Sequence, residues 1–148
     1  MSPDRTETVS DDVWFLLFAA WLLSLVAALG ALFIGEVMGQ EPCPLCWYQR
    51  AFMFPLPIVL GIALIRNDVG VWIYALPLSG IGAVVAAYHV LEYVGVIPAS
   101  LTPCTAMGPS CSGPGMTLFG WIPIPVLSLI AFAAISGTLA FAQRRAKL

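Results

Sequence analysis

The chain has 148 residues, of which 60% are hydrophobic and only 9% charged, with a net charge of −2; a soluble domain carries roughly 25% charged residues. The missing charge is absent from long runs, which excludes an ordinary water-soluble globule and points to a bilayer as solvent. No basic cluster with interleaved aromatics exists, so nothing points to a nucleic-acid partner.

The first uncharged run is Val13 to Gly35, bounded by Asp11, Asp12 and Glu36. It is long enough to cross a ~30 Å hydrocarbon core. A cleaved signal peptide is the competing reading. The acidic leading segment and the length of the run both count against it.

The second run is shorter. Between Arg50 and Arg66 lie about 15 uncharged residues, or ~22 Å of helix, too little to span. The span is therefore expected over 47–65, which puts Arg50 at membrane depth in its first turn, a functional candidate by position. Pro55 and Pro57 predict a kink.

The third run, Val69 to Leu91, ends at Glu92. Ser79, Ala83 and Ala87, with Gly82 and Ala86 beside them, give the small-residue spacing that lets helices approach closely in lipid. The tight connection from Arg66 to Asp68 predicts that helices two and three are antiparallel neighbours.

From Tyr93 to Gln143 no charge occurs. Pro98, Pro103, Pro109 and Pro114 with Gly108, Gly113 and Gly115 read as a loop. The fourth span is expected over 117–142, with Phe119 and Trp121 in an interfacial belt at its start. Proline is tolerated early in a helix, as Pro123 and Pro125 would be. The expectation is one all-α membrane domain over 1–148, an antiparallel four-helix transmembrane bundle with non-cytoplasmic loops at 36–46 and 92–116.

With four spans, Arg5, Arg66, Arg144, Arg145 and Lys147 share one face, leaving only Arg50 of the 6 basic residues on the other. That bias makes the first face cytoplasmic, with both termini. Cys43, Cys46, Cys104 and Cys111 then all fall outside the cytoplasm, where disulfides persist.

Three readings of these cysteines compete. Two disulfides could staple the loops, although a CxxC loop is too small to constrain the unfolded chain much. Four cysteines could hold zinc if both loops converged. The pairs could also form a redox relay, the use for which CxxC spacing recurs. Spacing and compartment favour the relay and leave the other two as alternatives.

Within the relay reading, Cys46 lies at a helix start and Arg50 one turn below it, both favouring thiolate at Cys46. An incoming thiolate should then attack Cys43 and expel Cys46. The second pair, in a Pro/Gly-rich loop with no basic neighbour, suits a soluble donor. With no haem or dinucleotide motif, a membrane quinone is the economical acceptor. Arg50 could stabilise charge on a quinone oxygen, and His89, at similar depth, could donate a hydrogen bond or proton.

The segment Glu41 to Arg50, EPCPLCWYQR, resembles the first outer loop of the bacterial disulfide-bond formation protein B family (DsbB and its shorter BdbC-like relatives). Tyr88-His89 near the end of helix three and the second cysteine pair extend the resemblance over essentially the whole chain. It implies a thiol:quinone oxidoreductase in the bacterial cytoplasmic membrane, monomeric, that reoxidises a soluble thioredoxin-fold DsbA-like oxidase and reduces ubiquinone or menaquinone. By the same resemblance, Cys104 meets the partner and Cys111 passes electrons to Cys43. Cys46 contacts the quinone, and Arg50 and His89 line its pocket. The chain departs from longer members in one respect. Only the six residues Thr105 to Ser110 separate the second pair, which restricts how far Cys111 can travel.

Two other identities compete. A vitamin K epoxide reductase-like enzyme also couples loop cysteines to quinone, but its CxxC follows the loop pair, whereas here it precedes it. A non-enzymatic membrane subunit with structural disulfides would have inert cysteines and bind no quinone.

Overall fold

The computed structural model describes residues 11–98, 111 and 116–147. Four stretches in it are long and apolar enough to cross a membrane: Asp11–Val37, Pro44–Arg66, Val69–Tyr93 and Ile124–Ala146.

Helix α1 (Asp11–Leu32) begins with two aspartates against the positive end of its dipole. It buries Val13, Leu17, Ala20, Ser24 and Ala28, one per turn, and turns most of the rest outward. This narrow seam is what a helix in lipid needs, since its other faces already have an apolar solvent. The helix ends in a π turn, Phe33–Val37, where the Met38 N–H reaches back five residues to the Phe33 carbonyl at 3.1 Å.

The second span starts earlier than the charge pattern suggests. Helix α2 (Pro44–Met53) is capped by Cys43 and has proline at its first position, where the missing N–H would be unpaired anyway. Where the prolines led to the expectation of a kink, the helix is divided at Phe54 into α2 and α3 (Pro55–Arg66). Phe54 stays helical and its N–H still bonds Arg50 O at 2.9 Å, while Pro55 has no N–H to continue the ladder. Asn67 then turns the chain in the left-handed region at φ 51. The Asp68 side chain accepts from Gly70 N–H at 2.8 Å. A short 3₁₀ turn, Val69–Val71, leads into α4 (Trp72–Tyr93).

Helix α4 packs on α2, α3 and α5, with α2 its larger contact among the two halves of the second span. Its buried face is Ala75, Ser79, Gly82, Ala86, His89 and Glu92. The seam therefore runs through Gly82 and Ala86, with Ala83 and Ala87 at its margin. The 3.6-residue period carries Ser79 onto this line rather than onto a strict four-residue one. A Cβ at Gly82 would overlap the Phe132 ring of the facing helix. Above it, Ser136 Oγ donates to Ser79 Oγ at 2.9 Å across α4 and α5.

The fourth span starts later than expected. Thr117–Leu118 (β1) and Ile122–Pro123 (β2) form a small antiparallel hairpin, and α5 runs Ile124–Ala146. Phe119 and Gly120 sit at φ 54 and 81, the doubly positive backbone of a tight hairpin turn, and this delays the helix to the residue between two prolines. Phe119 and Trp121 are exposed at the hairpin tip.

Candidate functional site

The end of the bundle where α2 begins and α4 finishes holds a compact group of reactive side chains. Cys43 has extended backbone as the α2 cap, so its sulfur points back over the first turn and accepts from Cys46 N–H at 3.4 Å. The Cys43 and Cys46 sulfurs are hydrogen-bonded at 3.2 Å, both as free thiols. Cys43 is 0% exposed, while Cys46 is only partly covered.

From α4, His89, also 0% exposed, places Nε2 3.8 Å from the Cys43 sulfur and 3.1 Å from the Cys111 carbonyl oxygen. Its Nδ1 lies 2.9 Å from Gln49 Nε2. Cys111 is buried and disulfide-bonded. Cys104 lies outside the described residues. Cys43, Leu45, Cys111 and Met116 form a small core of their own, against which Cys46, Tyr88 and Tyr93 pack. Gln40 Nε2 donates to Thr117 O at 3.2 Å, tying the first outer segment to the hairpin.

The sulfurs of Cys43 and Cys111 and the His89 ligand atom lie within 4.8 Å of one another. The two cysteine segments thus meet, as both the relay and the zinc reading require. With Cys111 in a disulfide, its sulfur offers no thiolate to a metal.

Sequence position favours thiolate at Cys46; in the structure His89 Nε2 and the Cys46 N–H face the Cys43 sulfur as well. The hydrogen bond with the Cys46 thiol holds the Cys43 thiol well below its ordinary range; burial opposes this, and His89 and the Cys46 N–H add to the lowering. Arg50 is turned elsewhere. It is 8% exposed, its Nη2 donates to Ala31 O at 2.7 Å, and its guanidinium lies 5.3 Å from the Trp47 ring centroid. A Cβ at Gly35, in the π turn, would come within 2.6 Å of Nη2, so glycine there makes the notch that Arg50 fills.

Two buried polar groups escaped the sequence reading. Gln49 is 6% exposed and Glu92 3%. Gln49 lies three residues after Cys46, on the face that carries the pair toward α4, and a polar side chain at that depth was the available signal. Glu92 reads in sequence as the charge that ends a span, yet it continues the buried line of His89 one turn on.

The chain matches the family "Disulfide bond formation protein DsbB" over residues 11–142. It is 59% identical over 136 residues to a probable disulfide formation protein of Metapseudomonas resinovorans, covering 92% of this chain and 94% of that one. Identity to disulfide bond formation protein C of Bacillus subtilis (strain 168) is 44% over 119 residues, covering 80% and 86%. A probable disulfide formation protein C 1 of Bacillus anthracis is 42% identical over 123 residues, covering 82% and 87%. No solved structure matches the chain. With two cysteine segments meeting at one end of four membrane-length helices, and with these relatives along nearly its whole length, the chain belongs to the DsbB family of membrane disulfide-bond formation proteins.

Proposed function

We propose that the protein is a thiol:quinone oxidoreductase of the bacterial cytoplasmic membrane. It reoxidises a soluble thioredoxin-fold, DsbA-like dithiol oxidase on the outer face, with both termini in the cytoplasm. The approach of the Cys43 and Cys111 sulfurs, within 4.8 Å around His89, carries this reading. Inert loop staples have no need of such contact between pairs.

The steps balance as thiol–disulfide exchanges. A partner thiolate attacks Cys104 of a Cys104–Cys111 disulfide, and the partner's second thiol displaces Cys104, so the partner leaves oxidised. Cys111 thiolate attacks Cys43 of a Cys43–Cys46 disulfide, and Cys46 leaves as thiolate. Cys104 then attacks Cys111, re-forming the second pair and releasing Cys43. Two electrons and two protons have moved to the CxxC pair. Free Cys43 and Cys46 beside a disulfide-bonded Cys111 match that arrangement.

A quinone, ubiquinone or menaquinone, would supply the acceptor for those two electrons and two protons. The residues fit such a head group. The Gly35 notch admits a buried guanidinium whose N–H donors exceed the one used on Ala31, and Trp47 offers an exposed aromatic face beside it. Arg50 stabilises negative charge at a low-dielectric site, and the partly covered Cys46 is the sulfur within reach. For His89 to serve the same pocket, Nε2 must leave the Cys111 carbonyl.

The test is anaerobic mixing of the purified protein with a reduced thioredoxin-fold dithiol oxidase and a quinone. Quinol should form in proportion to partner oxidised, and Cys43→Ser should abolish it. Partner oxidation without quinol, or quinol formation that survives Cys43→Ser, would sink the proposal.

A further inference from the structure

The contacts of His89 fix more than its position. A backbone carbonyl only accepts hydrogen bonds, so the 3.1 Å contact to Cys111 O requires a proton on Nε2. A neutral ring then has a lone pair on Nδ1, which can only accept. The Gln49 amide nitrogen, 2.9 Å away, is a donor. For a neutral ring, the opposite amide orientation would demand a proton on Nδ1 and would set two lone pairs against each other at the Cys111 carbonyl. In a neutral ring the two contacts therefore support one tautomer, each requiring the other.

The same ring reaches both sides of the gap that electrons must cross. Nε2 faces the Cys111 carbonyl and, at 3.8 Å, the Cys43 sulfur. All three groups are buried, so water does not compete. A side chain that grips Cys111 by its backbone makes no demand on the Cys111 sulfur, which is held in its disulfide.

We infer that Gln49 is a positioning residue. By holding His89 as the neutral Nε2–H tautomer, it makes His89 the post that registers Cys111 against Cys43 for exchange between the two pairs. This rests on the relay proposed above. The role belongs to the joint between the pairs and is distinct from any quinone contact.

The chain contains a single histidine, so one pair of ring-nitrogen resonances reports this site without assignment. In full-length, ¹⁵N-histidine-labelled protein with Cys43 and Cys46 reduced and the second pair oxidised, the ring should show protonated Nε2 and unprotonated Nδ1. A neutral Nδ1–H ring, or a doubly protonated one, would overturn the inference before any variant is made. Gln49→Leu should then slow transfer from a reduced thioredoxin-fold partner to the CxxC pair on the order of tenfold, the worth of one ordinary hydrogen bond. That transfer is followed without quinone by acid quenching and thiol trapping. Reduction of added quinone by pre-reduced CxxC should keep its Michaelis constant. Equal loss in both reactions would indicate a general packing defect and refute the specific role, as would no loss in either. If wild-type protein reduces no quinone but shows the Nε2–H ring, the relay has failed and the tautomer assignment stands.

Discussion

Replacing Gly35 with alanine separates helix propensity from the role of the π turn. In an ordinary helix interior that change stabilises by up to about 1 kcal/mol. Here the new Cβ would lie 2.6 Å from Arg50 Nη2, 3.3 Å from Nη1 and 3.4 Å from Cζ. Restoring ordinary contact requires the guanidinium to retreat by roughly 1 Å, since carbon contacts are comfortable near 3.5 Å. That stretches the 2.7 Å bond to Ala31 O beyond hydrogen-bond length. Losing a hydrogen bond to a charged group costs about 1.5–3 kcal/mol, equivalent to roughly 10–100-fold in an equilibrium constant. The Michaelis constant for quinone should therefore rise by about that factor in Gly35→Ala, with exchange between the cysteine pairs unchanged. Steady-state kinetics with varied quinone measure it, with Arg50→Leu as the reference for complete loss. If Arg50→Leu raises the constant and Gly35→Ala leaves it alone, the notch does not position Arg50. If neither moves it, Arg50 does not face the quinone.

Two further outcomes follow from the packing and the charges. Gly82→Ala should destabilise the bundle by about 1–3 kcal/mol through overpacking against Phe132, measurable as earlier unfolding in detergent, and Phe132→Leu should recover part of the loss; an unchanged unfolding midpoint would contradict the close α4–α5 seam. The lowered Cys43 value has a definite sign. It favours the folded dithiol protein fully above the ordinary 9.0, and the advantage is lost progressively as pH falls to about 4. Ultraviolet thiolate absorbance of the reduced protein should accordingly persist well below the ordinary thiol range and vanish at low pH in Cys43→Ser; a signal that survives this change would assign the thiolate to another cysteine.

The spans were legible because lipid punishes charge, and Asp12, Glu36, Arg66 and Glu92 mark the edges of runs by that rule alone. Arg50 was legible as a cation within a membrane-length helix for the same reason. Boundaries set by backbone chemistry were not. The hairpin at Thr117–Pro123 depends on Phe119 adopting positive φ, which hydropathy does not report. The surroundings of Cys43 were not legible because sequence supplies neighbours along α2, whereas His89 comes from a helix more than 40 residues away. Gln49 was missed because it gains meaning only from that same partner. The π turn likewise leaves no mark beyond a glycine in an apolar run.

The complete enclosure of Cys43 has a consequence for selectivity. Under the proposed relay, any small-molecule thiol that reached the CxxC disulfide could discharge it uselessly. A sulfur with no accessible surface meets only the thiol delivered to it from inside the fold. In that relay the enclosure would insulate the junction by geometry. A change that opens it should show first as consumption of small-molecule thiols, before any loss of rate with the proper donor.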